Sequence, residues 1–172
     1  MSILHATAVA RWSRGAWSAA LLRGPSGAGK SDLALSAMAA GWRLVADDRV
    51  MVWASGGRLW GRAPARLAGL VEARGLGVLP APSLDWAEIA LVVDLSASTE
   101  ALERIPPADW VAVAGVRLRR IDFYPRESSA LAKLEFALQA APLGDDEEPA
   151  YQARSHGRGR QRPPLAGASH EE

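Results

Sequence analysis

Gly24-Pro25-Ser26-Gly27-Ala28-Gly29-Lys30-Ser31 fits G-x-x-x-x-G-K-[ST], the pattern of a phosphate-binding loop. It stands between an apolar run at residues 17–22 and a helix-like stretch at 32–40. That strand, loop and helix order is the context such a loop requires, and it sets the expected class as α/β. Glycines let successive backbone N–H groups turn toward one anion, and the following helix adds roughly half a positive charge at its N-terminus. Gly24, Pro25, Ser26, Gly27, Ala28, Gly29, Lys30 and Ser31 are therefore the candidate nucleotide-binding residues. Lys30 is placed to reach the β- and γ-phosphates, and the Ser31 hydroxyl to hold Mg²⁺.

Composition narrows this reading. Of 20 basic residues, all but Lys30 and Lys133 are arginine, so a lysine inside the loop is a selected choice. An ammonium is a compact point charge that fits beside phosphate oxygens where a planar guanidinium would not. With 172 residues, 49% of them hydrophobic, the chain can bury one core, which predicts a single domain plus any tail. A net charge of +1 with no basic block in the body argues against a nucleic-acid partner. The absence of cysteine excludes disulfides, cysteine nucleophiles and cysteine metal sites, and fits a reducing compartment. Met1-Ser2-Ile3-Leu4-His5 lacks the order of a signal peptide, and no apolar run reaches 18 residues. The expectation is a soluble cytoplasmic protein with no membrane partner.

Outward from the loop, strands are expected at 3–11 and 16–22, joined by Trp12-Ser13-Arg14-Gly15, so that a hairpin feeds the loop. Leu33, Ala34, Ala37 and Met38 form a helical stripe, with Gly41 at the C-cap position. Further strands are expected at 42–46, 50–53 and 58–60 around the Ser55-Gly56-Gly57 turn, and at 88–95 and 119–123. Residues 99–104 predict a short helical segment at best. Residues 129–140 predict a helix with Leu131, Leu134 and Leu138 inward. This catalytic domain is expected to occupy 1–141. Beyond it, an acid block at 145–148 and a stretch rich in Arg, Gly, Pro, His and Ser predict a disordered, solvated tail over 142–172.

Asp47-Asp48 directly follows the strand Arg43-Leu44-Val45-Ala46, which puts both carboxylates at the carboxyl end of a strand, the edge the loop occupies. A strand alternates side-chain direction, so the pair can divide labour. One would assist Mg²⁺ or orient a neighbour, and the other would accept a proton from an attacking hydroxyl. A plain polar turn is the alternative on the doublet alone. Glu72-Ala73-Arg74-Gly75-Leu76-Gly77-Val78-Leu79 places an acid, an arginine and two glycines in a span that reads as too glycine-rich for a regular element. Glu72 suits a Mg²⁺ shell and Arg74 a transferring phosphoryl group, with a salt-bridged loop as the alternative.

Together, residues 24–31, Leu44-Val45-Ala46-Asp47-Asp48 and Glu72-Ala73-Arg74-Gly75-Leu76-Gly77 closely resemble, in order and approximate spacing, three segments of the HPr kinase/phosphorylase family. These are its nucleotide loop, its Asp-Asp strand end and its E-x-R-G-[LIM]-G signature, here carried by Glu72, Arg74, Gly75 and Gly77. His5, in His5-Ala6-Thr7, resembles the histidine that opens the family's domain. The resemblance spans residues 3–140. It implies an α/β, phosphate-loop-containing kinase domain of the HPr kinase C-terminal and phosphoenolpyruvate-carboxykinase-like type, with a mixed sheet flanked by helices. It also implies ATP and Mg²⁺ as ligands, and an HPr-type phosphocarrier, or its nitrogen-branch paralogue, as the protein phosphorylated on serine. Asp48 would take the serine proton, and give it back in the reverse reaction with inorganic phosphate. Lys30 would stabilise the transferring phosphoryl group, His5 would assist, and Ser31, Glu72 and Asp47 would form the metal side.

Two departures accompany the resemblance. The chain looks like the short, kinase-domain-only form found in alphaproteobacteria, without N-terminal regulation. The family's late P-x-[RK]-x-G-R-N stretch is represented by Pro125-Arg126-Glu127-Ser128-Ser129, which keeps an arginine, Arg126, for the late catalytic position but not Gly-Arg-Asn. That puts the reverse reaction in question more than the forward one. Asp94 is read as a strand-end residue. Two alternatives stand beside the kinase: an ATP-binding sensor without phosphotransfer, and a small-molecule kinase. Stoichiometry is not written in the sequence, although the resemblance suggests a hexamer.

Overall fold

A computed structural model describes residues 1–100 and 102–141; the tail expected at 142–172 lies outside the described residues. In chain order the elements are β1 (Ser2–His5), β2 (Thr7–Ser13), β3 (Ala16–Arg23), α1 (Lys30–Ala39), β4 (Arg43–Ala46), β5 (Arg49–Ser55) and β6 (Arg58–Arg62). A 3-10 turn (Ala65–Leu67), β7 (Leu70–Ala73), β8 (Gly77–Pro80), β9 (Ala87–Leu95), β10 (Asp109–Val113), β11 (Val116–Phe123) and α2 (Ala130–Ala140) complete them.

The main sheet has nine strands in the order β1-β5-β6-β9-β3-β2-β4, with β11 also on β9 and β10 on β11. β3 and β11 run parallel to β9. β2 is antiparallel to both β3 and β4, so β4 runs in the same direction as β3. The carboxyl ends of β3, β4, β9 and β11 therefore share one edge, where open α/β sheets bind ligands.

The sheet curls because two chain segments exchange partners at the same place. β1 pairs with β5, His5 opposite Arg49, whereas β2 pairs with β4, Ala8 opposite Ala46. The segment expected as one strand over 3–11 is thus two strands broken at Ala6, where the Ala6 N–H donates to the Asp48 carbonyl at 3.3 Å. Both faces of the central strands β2, β3, β4 and β9 are buried. Ala19 and Leu21 face a core built from strand residues, including Ala8, Val45, Val52, Ile89 and Val92. Ala20 and Leu22 face the helices, among Leu33, Trp42, Leu91, Val93 and Leu134. Burial on both sides is why these strands read as continuous apolar runs. A fully buried leucine such as Leu134 contributes roughly 1.5–3 kcal/mol.

Two-residue turns at positive φ, Arg14-Gly15 and Gly56-Gly57, close the two expected hairpins, and Ala114-Gly115 closes the β10–β11 hairpin, as right-handed strand twist favours. The Gly41 N–H bonds back to the Met38 carbonyl at 3.0 Å, ending α1 as expected. Two further expectations are corrected. Residues 72–79 are not irregular: β7 and β8 form a hairpin, Glu72 opposite Val78. Its glycine supplies the turn, since the Leu76 N–H reaches the Ala73 carbonyl at 2.9 Å and Gly75 has φ +86°, the third-position geometry that glycine favours. Over 99–104 the described residues hold a turn, Leu102 N–H to Thr99 carbonyl, and no helix. The strand β10 was not anticipated. Among the described residues no helix is long and apolar enough to cross a membrane.

Candidate active site

The segment after β3 turns through Gly24 and enters α1 at Lys30, two residues earlier than the apolar pattern suggests. Gly29 caps the helix with φ +97° and no side-chain hydrogen bond, so among the described residues the first helical N–H groups have no side-chain cap. A Cβ added at Gly29 would lie 3.1 Å from Pro125 Cγ; the loop after β11 closes onto the cap. That contact brings Arg126 to the same cleft.

The cleft, about 170 Å³, is lined by His5, Thr7, Ser26, Gly27, Gly29, Lys30, Ser31, Asp32, Asp47, Asp48, Glu72, Arg74 and Arg126. Residues singled out from four distant stretches of sequence, at 5, 26–31, 47–48 and 72–74, and from the loop before α2, thus converge. Gly24, Pro25 and Ala28 shape the loop without lining the cleft, and Gly75 and Gly77 belong to the β7–β8 turn region. Two lining residues, Thr7 and Asp32, were not foreseen. For Thr7 a signal existed: it follows His5 by two within the strand expected over 3–11, where alternate residues share a face.

The two adjacent acids have different surroundings. Asp47 is 6% exposed and accepts hydrogen bonds from Thr7 Oγ1 (2.7 Å), Ser31 Oγ (3.0 Å) and the Glu72 N–H (3.0 Å). Asp48 has a side chain 60% exposed, with Oδ1 2.9 Å from His5 Nε2 and Oδ2 accepting from Arg49 Nε at 3.3 Å. Its φ is +63°, and the Arg49 N–H reaches over it to the Asp47 carbonyl at 2.7 Å. That is the rare, strained, positive-φ form of γ-turn. The strain turns consecutive carboxylates apart: Asp47 inward to the protein's own donors, Asp48 outward to solvent.

Lys30, 7% exposed, places its ammonium on the carbonyls of Gly24 (2.9 Å) and Pro25 (3.0 Å), over the loop rather than in an ion pair. Among the described residues no group of three or more His, Asp or Glu forms a ready metal cage. Mg²⁺ does not need one, because it takes one or two carboxylates, substrate phosphates and waters. The donor set of Ser31 and Glu72, with Asp47 behind Ser31, fits that mode.

A larger hollow of about 610 Å³ lies beside β11 and α2, but its cations are already engaged. Arg120 binds Asp94, Asp109 and Asp122, Lys133 binds Glu127, and Arg119 donates to the Asp109 carbonyl. Asp94 is pushed up by burial, yet hydrogen bonds from Arg23 and Arg120 outweigh this and hold its pKa below the ordinary value. Asp94 is therefore the strand-end residue expected, at the centre of an ion-pair network.

Comparison with known proteins gives one consistent answer. The profile of the family described as HPr Serine kinase C-terminal domain matches residues 18–106, about half the chain. An HPr kinase/phosphorylase of Clostridium tetani is 47% identical over 64 residues, 37% of this chain and 21% of that protein. One of Streptococcus thermophilus is 37% identical over 112 residues, 59% and 36% respectively. The matched stretches thus span only about a fifth to a third of the length of these relatives. The solved structure of the Hpr(Ser) kinase/phosphatase from Coxiella burnetii superposes with a TM-score of 0.68 at 20% identity, covering 81% of this chain and 88% of that one. At that identity the likeness establishes the mixed α/β fold.

Proposed function

The chain belongs to the HPr serine kinase C-terminal domain family, and we propose from that premise that residues 1–141 form an ATP-dependent protein-serine kinase domain acting on an HPr-type phosphocarrier. In this reading residues 24–31 are the phosphate loop of a phosphoenolpyruvate-carboxykinase-like kinase fold. The observation that carries it is the convergence in one cleft of Lys30 and Ser31 with the His5–Asp48 pair. A bare nucleotide-binding site needs only the first two.

The uncapped N-terminus of α1 and the ammonium of Lys30 would bind the β- and γ-phosphates. Bound at Ser31 and Glu72, Mg²⁺ would neutralise phosphate charge as it develops. Asp48, outward-facing and held on both oxygens by His5 and Arg49, accepts the proton of the incoming serine hydroxyl as its oxygen attacks the γ-phosphorus and ADP leaves. Arg74 and Arg126 stand at the cleft wall to balance charge on the phosphoryl group in transfer. In the reverse step inorganic phosphate would attack the phosphoserine phosphorus to form pyrophosphate, and the departing serine oxygen would take its proton from Asp48. Because Gly-Arg-Asn does not follow Arg126, the forward reaction is expected to dominate. Detecting phosphoserine on a carrier after incubation with MgATP tests the reading; ATP binding without transfer would leave a sensor.

A further inference from the structure

Thr7 is polar yet fully buried, and the proposed reaction gives it no part. Its Oγ1 lies 2.7 Å from Asp47 Oδ1, the shortest contact that carboxylate makes. Ser31 Oγ lies 3.0 and 3.3 Å from the two oxygens of the same group, and the Glu72 N–H donates to Oδ2 at 3.0 Å. One carboxylate at the end of β4 therefore ties together β2, α1 and β7. A carboxylate accepts only, so both hydroxyls must donate to it. A serine hydroxyl has one hydrogen and two lone pairs. With its hydrogen committed to Asp47, the Ser31 oxygen turns its lone pairs toward the cleft.

We propose that Thr7 is a positioning residue for the metal side of this site: by donating to Asp47 it fixes the carboxylate that takes the Ser31 hydrogen, leaving the Ser31 oxygen free to bind Mg²⁺. The inference rests on the reading of Ser31 as a Mg²⁺ ligand. His5-Ala6-Thr7 then acts as one device, because the residues on either side of the break at Ala6 address the two members of the Asp pair. His5 holds Asp48, and Thr7 holds Asp47. Without the Thr7 donor, Asp47 keeps the Glu72 N–H on Oδ2 but loses its anchor on Oδ1, so its hold on Ser31 loosens and the Ser31 hydrogen competes with the cation for the cleft.

The test is calorimetric titration of ATP into the protein with Mg²⁺ and with EDTA. Wild-type protein is expected to bind ATP more tightly with Mg²⁺. Thr7→Val, nearly isosteric, is expected to lose about tenfold of that gain, the scale for outer partners of metal ligands, while metal-free affinity holds. Thr7→Ser, which keeps the donor, is expected to restore it. Thr7→Ala is measured alongside, so that equal Mg²⁺ dependence in the Ser and Ala variants overturns the proposal even if Thr7→Val does not fold. A purely structural threonine would lower the melting temperature and change both affinities together, which also overturns it. A wild-type protein that binds ATP equally well with and without Mg²⁺ refutes the reading of Ser31, and the inference with it. A wild-type protein that binds no ATP refutes the nucleotide-binding function itself.

Discussion

Asp48 Oδ1 lies 2.9 Å from His5 Nε2, and the two residues meet where strands β1–β2 and β4–β5 exchange partners. The fold and the site therefore have a common origin. The bend that curls the sheet places His5 beside the turn between β4 and β5, and the positive φ of Asp48 points its carboxylate at the cleft. Backbone strain of this kind persists only where the surroundings enforce it. Here the Ala6 N–H and Arg49 N–H both bind the turn.

His5→Ala is expected to lower the rate of serine phosphorylation by up to about tenfold, since a hydrogen bond to a charged group contributes about 1.5 kcal/mol at the low end of its range and solvent screens this half-exposed pair. ATP affinity is expected to stay near wild type, because His5 touches the carboxylate and not the loop. Arg49→Ala should cost less: both pairs are half exposed or more and screened by solvent, but the Arg49 contact is 3.3 Å against 2.9 Å for His5. Parallel rate and binding measurements on the two variants check this order.

Gly29→Ala is expected to abolish nucleotide binding and to destabilise the fold by about 1–2 kcal/mol, the cost of a left-handed conformation for a residue with a Cβ. Pro125 stands in the way of that Cβ, so relief would displace the segment carrying Arg126 as well. Thermal melts and ATP titration of the variant measure both effects.

The Asp94 network predicts an acid-sensitive element of stability. Burial raises the Asp94 pKa, but hydrogen bonds and charge from Arg23 and Arg120 bring it below 3.8 in the folded protein. A depressed carboxylate stabilises the fold above its unfolded pKa and loses that contribution as pH falls through the folded value. Asp94→Asn is therefore expected to destabilise the protein at neutral pH. The difference between variant and wild type should shrink below about pH 4. Denaturant midpoints of both proteins at pH 7 and pH 3 give the comparison.

Much of this was legible in the sequence because the informative residues carry local constraints. Residues 24–31 announce a strand-to-helix junction, the four-residue strand before Asp47 fixes an edge, and turn dipeptides such as Gly56-Gly57 fix hairpins. What escaped depended on long-range pairing. Nothing near Ala6 signals a break, since the break arises from β1 and β2 choosing different partners forty residues away. Residues 72–79 seemed too rich in glycine for strands, although Gly75 was needed only in the turn. The convergence of His5, Thr7, Asp47 and Glu72 followed from the curl of the sheet, and the role of Thr7 became visible only with Asp47 beside it.

Whether Asp48 turns a nucleotide site into a protein-serine kinase can be read by mass spectrometry of HPr incubated with MgATP and either wild-type or Asp48→Asn protein. A single phosphoserine is expected with the wild type and none with Asp48→Asn, while the variant binds MgATP as the wild type does. Phosphoserine formed at an undiminished rate by Asp48→Asn, or a wild-type protein that binds MgATP and labels no serine, would contradict it.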